Sequence, residues 1–136
     1  MFEAYSTADT AYTLDEFVSF DTIRYTDCRV NTVNGTTFSI NTPGRYFVRF
    51  GGVGSSSTAA SPFSVQLLVN GVPVPAVRSE ITSVAADDTQ TLGFSTIINV
   101  LPSMCFIDNT ARLQVQVTSE AAGTLYDTNL IIFRLK

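Results

Sequence analysis

Residues 38–50 read Phe38-Ser39-Ile40-Asn41-Thr42-Pro43-Gly44-Arg45-Tyr46-Phe47-Val48-Arg49-Phe50. Two alternating runs flank a Pro-Gly pair. Alternation with period two signals a strand, because successive side chains point to opposite faces, and Pro-Gly marks a turn. The first run, Phe38 and Ile40 against Thr37 and Ser39, is apolar on one face and polar on the other. The second differs. Tyr46, Val48 and Phe50 share one face, and Phe47 on the opposite face is apolar as well. A strand of this kind has to be covered on both sides.

The same two patterns recur along the chain. Phe63, Val65, Leu67 and Val69 alternate with Ser64, Gln66 and Leu68, and Leu113, Val115 and Val117 alternate with Arg112, Gln114, Gln116 and Thr118, so each run is largely apolar on one face and polar on the other. Each suits a sheet with one face in water. Residues 91–100 and 129–135 resemble residues 45–50 instead. Ile97 opposes Phe94 and Ile98, and Leu130-Ile131-Ile132-Phe133 sends two apolar side chains each way. Turn chemistry separates the runs at Asn34-Gly35, Pro43-Gly44, Asn70-Gly71 and Ala122-Gly123. Strands are predicted near 17–25, 36–40, 45–53, 63–70, 76–84, 91–100, 111–119 and 129–135, with no helical period. Many short strands at this spacing indicate a two-sheet antiparallel sandwich or a barrel.

If 45–50, 91–100 and 129–135 share a sheet, that sheet has an apolar outer face. Exposed apolar patches of such size mark interfaces. Phe47, Arg49, Ile97, Ile131 and Phe133 are therefore the candidate interface residues of an oligomer.

At 136 residues the chain suits one domain. Charged residues make up only 15%, so Ser, Thr, Asn and Gln, or another protein, must cover much of the surface. The net charge is −4 and the eight basic residues are scattered, which disfavours nucleic-acid binding. No apolar stretch is long enough to insert through a membrane. Residues 1–10 lack a basic and then hydrophobic leader, so no signal peptide is expected.

The string Phe38-x-Ile40…Gly44-x-Tyr46-x-Val48 resembles the corresponding segment of the TNF/C1q-like jelly rolls. Val65-x-Leu67-x-Val69-Asn70-Gly71 is similar to a later strand and turn of that family, and residues 129–135 to its closing strand. The flavour is that of the bacterial and bacteriophage branch, which includes collagen-like filament tips and phage head fibres. The resemblance covers 17–136 and implies an all-β, two-sheet antiparallel jelly-roll sandwich that forms a tight homotrimer around an inner sheet. The strands at 45–50, 91–100 and 129–135 would belong to that inner sheet, in agreement with the both-faces argument. The family's collagen-like stalk has no counterpart here, since no Gly-X-Y repeat is present.

Catalysis has little to work with. Without His there is no Ser-His or Cys-His pair and no imidazole ligand. Cys28 lies near Arg24 and Arg29, but it and Cys105 read as free, half-buried thiols. Asp87-Asp88 with Glu80 offers carboxylates of the kind that bind Ca²⁺, yet adjacent acids in a turn are commonly just solvated. No catalytic, metal or cofactor site is expected. Residues 51–62, small and Ser-rich, could form a ligand-reading loop but read rather as a flexible connection between sheets.

Residues 1–16 read as an extended N-terminal arm outside the jelly-roll domain of 17–136. Phe2, Tyr5 and Tyr12 would have little core to join there, and burial against a capsid or other virion protein would give them a place. Deleting 2–14 is then expected to spare a folded trimer and abolish attachment. The function implied is a non-enzymatic trimeric virion component of a bacteriophage, a capsid decoration or head or tail fibre protein assembled in the host cytoplasm. The alternative is an extracellular or cell-surface module binding a receptor or glycan. A single-jelly-roll viral shell protein fits less well, because its usual basic arm is missing.

Overall fold

The quoted stretch does not stay in one sheet. Phe38–Ile40 and Gly44–Ser56 fall in different layers, and Asn41 to Pro43 carry the chain across the sandwich. The computed structural model describes residues 1–32 and 34–135. Among them are eleven strands: β1 (Phe2–Ser6), β2 (Thr10–Tyr12), β3 (Thr22–Tyr25), β4 (Val30–Thr32), β5 (Phe38–Ile40), β6 (Gly44–Ser56), β7 (Pro62–Val69), β8 (Val72–Thr82), β9 (Thr89–Val100), β10 (Ala111–Val117) and β11 (Gly123–Leu135). A front sheet has the order β3-β1-β11-β6-β9, with β2 also paired to β11. A back sheet has the order β4-β5-β10-β7-β8. All pairings are antiparallel.

The core lies between the sheets and is built by the alternation read from the sequence. Tyr46, Val48 and Phe50 of β6, with Leu130 and Ile132 of β11, face Phe38 and Ile40 of β5, Val65 and Leu67 of β7, and Leu113, Val115 and Val117 of β10. Aromatic edges lock its centre: Phe38 packs edge-on against Phe2 and Phe20, at 5.6 and 5.8 Å, and Phe20 against Phe50 at 6.1 Å. Tyr46 brings a hydroxyl into this apolar layer and donates it to the Thr42 carbonyl at 2.7 Å. Burial pushes the phenol above its ordinary pKa. At the β7–β8 hairpin, Asn70 and Gly71 both take positive φ, 53° and 78°, as a tight two-residue turn requires.

Three expectations need correction. First, residues 1–16 are not an arm. β1 lies between β3 and β11 in the front sheet, pairing Phe2 with Ile132 and Ala4 with Leu130. Phe2 and Tyr12 are buried in the core, and Tyr12 Oη accepts the Ser19 backbone N–H at 3.1 Å. Among the three aromatics proposed for attachment, Tyr5 alone is partly exposed, so a separate arm with a domain starting at 17 does not describe the fold. The alternation Phe2-x-Ala4-x-Ser6 was there to read, but its inward face is small after Phe2 and lacks the large apolar alternation of a core strand.

Second, residues 51–56 are not a connection. They extend β6, where Ser55 pairs with both Thr124 of β11 and Thr89 of β9. Neighbours on both sides override the weak strand preference of Gly and Ser. Third, β8 begins at Val72, and Pro73 and Pro75 fit because β8 is an edge strand of the back sheet.

The placement of β1 gives a direct test. Truncating Phe2 to Ala removes a ring from the middle of the core and should destabilise the domain by about 3–5 kcal/mol in urea unfolding. A loss below about 1 kcal/mol would return residues 1–6 to the status of an arm.

Candidate interface on the front sheet

The five residues singled out for interface formation all lie on one surface, the outer face of the front sheet. Strand register places Phe47 of β6 between Phe133 of β11 and Ile97 of β9. One step along, Arg49 lies between Ile131 and Ser95. The two rows follow from parity: Tyr46, Val48 and Phe50 point to the core, so Phe47 and Arg49 cannot. The rings of Phe47 and Phe133 meet at 5.0 Å with a 35° tilt. They are half-buried by each other, while Ile97 is 54% exposed. The second apolar face inferred from the sequence is present, and among the described residues no element packs over it.

The same sheet changes character farther from the Gly44 end. Gly51 and Gly93 lie opposite each other, and with Asn129 they floor an open trough of about 750 Å³. Gly93 has no room for a side chain, since a Cβ there would stand 2.6 Å from the Phe50 carbonyl oxygen. Tyr5, Arg24 and Arg49 stand on the walls. The Arg24 guanidinium sits 4.5 Å above the Tyr5 ring and 3.4 Å from the buried carboxylate of Glu3, whose Oε2 also accepts from Asn129 Nδ2. No local sequence pattern announces this grouping. Glu3 and Arg24 are far apart along the chain and meet because β1 separates β3 from β11.

A second exposed feature adjoins the Gly44 end. The β9–β10 loop, residues 101–110, displays Leu101, Met104, Phe106 and Ile107, and Phe106 is completely exposed. The loop is ordered from within. Met104 and Ile107 exchange backbone hydrogen bonds at 2.9 and 3.0 Å, and Asn109 Nδ2 donates to the Pro102 carbonyl at 2.7 Å. At its base Asp108 accepts the Thr110 backbone N–H at 2.9 Å and pairs with Arg112 at 3.2 Å.

The remaining chemistry is sparse. Cys28 and Cys105 are free, and both are exposed rather than half-buried. Glu80 pairs with Arg78 along β8, and an Asp88 carboxylate oxygen accepts the Ala85 backbone N–H within the β8–β9 turn. Among the described residues no cluster of three or more His, Cys, Asp or Glu side chains is placed to hold a metal. No helix among them is long and apolar enough to cross a membrane.

Two antiparallel sheets with these strand orders make a jelly-roll sandwich of the TNF/C1q-like kind. Solved structures with this fold are similar over nearly their whole length. The globular domain of zebrafish complement 1qA protein matches with a TM-score of 0.71 at 10% identity, covering 99% of this chain and 96% of that one. Eiger TNF from S. frugiperda gives 0.72 at 12% identity, covering 99% and 93%. PRD1 vertex protein P5 gives 0.62 at 11% identity, covering 99% and 96%. No family model and no curated protein sequence matches.

The loop base titrates in a checkable way. The Thr110 hydroxyl and backbone N–H, and then Arg112, hold the Asp108 carboxyl at about 2, below its ordinary 3.8. A lowered folded-state pKa favours the ordered loop above the ordinary value, and that contribution disappears as pH falls through about 2. Carboxyl NMR should find this midpoint, and Thr110→Ala should raise it toward 3.8.

Proposed function

We propose that the protein is a non-enzymatic structural module that works as a homotrimer, joined through the outer face of the front sheet, and serves as a bacteriophage virion component such as a capsid decoration or a head or tail fibre protein. The carrying observation is the Phe47–Phe133–Ile97–Ile131 surface on strands whose opposite faces already fill the core. Burying apolar area is worth about 25 cal/mol per Å², so such a face is a favourable place for another chain. Different patches meeting head to tail close into a ring when the rotation fits. The virion assignment draws on the phage-like resemblance of the sequence and on a fold shared with a vertex protein.

Because β1 and β2 pair within the front sheet, this reading does not rely on residues 1–16 as a free arm for attachment to a capsid or other virion protein. A second reading, a trimeric module binding a cell-surface receptor or glycan, draws on the trough, where Arg24, Glu3 and Asn129 offer donors and acceptors beside Tyr5. Soaking a glycan array with the intact protein separates the two: selective binding lost in Asn129→Ala supports recognition, and a blank array supports a purely structural role.

Light scattering behind a sizing column tests the assembly. The wild-type chain should elute with the mass of three copies. Ile97→Lys puts a charge on an exposed position of the lone chain, so it should give a folded monomer. A monomeric wild type would overturn the proposal.

A further inference from the structure

We infer that the trough at the glycine end of the front sheet is a binding site for a neutral oligosaccharide, whose hydroxyls hydrogen-bond to Glu3, Asn129 and Arg49. The inference rests on the recognition reading above and names its ligand class; it does not depend on how many copies associate.

The walls are built around two backbone irregularities. β11 breaks register between Tyr126 and Asn129, with Asp127 at φ 44°, and β1 breaks it between Glu3 and Ala4. Bulges and left-handed non-glycine residues cost energy and gather at binding sites, where they re-aim side chains. Here they flank Glu3 and Asn129. The Glu3 side chain is only 8% exposed. Its Oε2 accepts from Arg24 and Asn129, each at 3.4 Å, while no described donor reaches Oε1. No fully buried side-chain oxygen among the described residues lacks a partner, so Oε1 opens outward, from a residue that lines the trough. Asn129 Oδ1 accepts no hydrogen bond among the described residues either. A Cβ at Gly51 would stand 3.3 Å from it, so glycine there keeps it uncovered. Arg49 adds guanidinium N–H groups that no described carboxylate takes.

These groups select the ligand class. The charged lining is Arg24 and Arg49 against Glu3 and Asp127, so its charge cancels and favours neither an anion nor a cation. A peptide strand needs free main-chain partners or apolar side-chain pockets. The β6 floor is paired on both sides, and Ser79 Oγ takes the Gly93 N–H at 3.1 Å. Phe50 and Leu92, which also line the trough, are buried in the core. Unused acceptors beside unused donors, presented on side chains above a glycine floor, match hydroxyl groups, each of which donates and accepts at once. Arg24 covers one face of the Tyr5 ring, so hydrogen bonds rather than ring stacking hold the sugar.

The test exposes the intact protein to an array of neutral oligosaccharides printed beside their sialylated and sulfated forms, and titrates the best ligand by calorimetry. Neutral chains should bind, and their acidic forms no more tightly. Thr91 is exposed in the trough, two rows beyond Ser95 and away from Ile97. Thr91→Trp should therefore keep the wild-type melting temperature and mass in solution while weakening binding at least tenfold, and Asn129→Ala should weaken it by as much. Binding of acidic chains alone, lost in Asn129→Ala, overturns the neutral class and leaves the recognition reading standing. Neutral binding undiminished in a folded Thr91→Trp chain overturns the site. A blank array overturns the inference and the recognition reading together, and leaves the trimer to be judged on its mass.

Discussion

Strand β6 gives its backbone donors and acceptors to β11 on one side and β9 on the other over most of its thirteen residues. A strand so flanked has no free edge, and all its further interactions run through its two faces. One face, with Tyr46, Val48 and Phe50, fills the sandwich. The other, with Phe47 and Arg49, is set by the pleat to look outward, and no shift of register can exchange them without emptying the core. The outer surface of the front sheet is thus fixed by the packing inside it.

The part of this arrangement legible in the sequence was the part written in large apolar side chains. Phe38-x-Ile40 and Tyr46-x-Val48-x-Phe50 declare their inward faces, and Phe47, Ile97, Ile131 and Phe133 declare that three strands have a second one. Parity alone placed these residues on a common surface once the strands became neighbours. That the three share one sheet came from the family resemblance rather than from the pattern, and their order, β11 beside β6 beside β9, is seen only in the structure.

The unreadable parts have physical reasons. β1 was hidden because Ala4 and Ser6 are small and Glu3 is charged, so its apolar alternation shows only one large residue. Glu3 is tolerated on a covered strand because Arg24 and Asn129 reach its carboxylate. The glycine and serine half of β6 was hidden because its conformation comes from its neighbours rather than from its own preference. The exposed apolar loop at 101–107 could not be told from a buried segment, since hydrophobicity does not disclose what lies above it. The trough is assembled from β1, β3, β6, β9 and β11, and no local pattern can announce a site contributed by strands so distant in sequence.

The pairing of Phe2 with Ile132 has a consequence for synthesis. The first strand made shares its ladder with the last, so during translation β1 waits for most of the chain before its partner exists. Contacts between such distant segments carry a large loop-closure entropy and slow the folding of all-β domains. The front sheet is completed only after β11 is available, whereas the β7–β8 hairpin of the back sheet can close through its two-residue turn as soon as both strands are made. Until then Phe47 and its neighbours are exposed on a partly formed sheet. The apolar face proposed to join finished copies is, in that interval, a hazard of premature association.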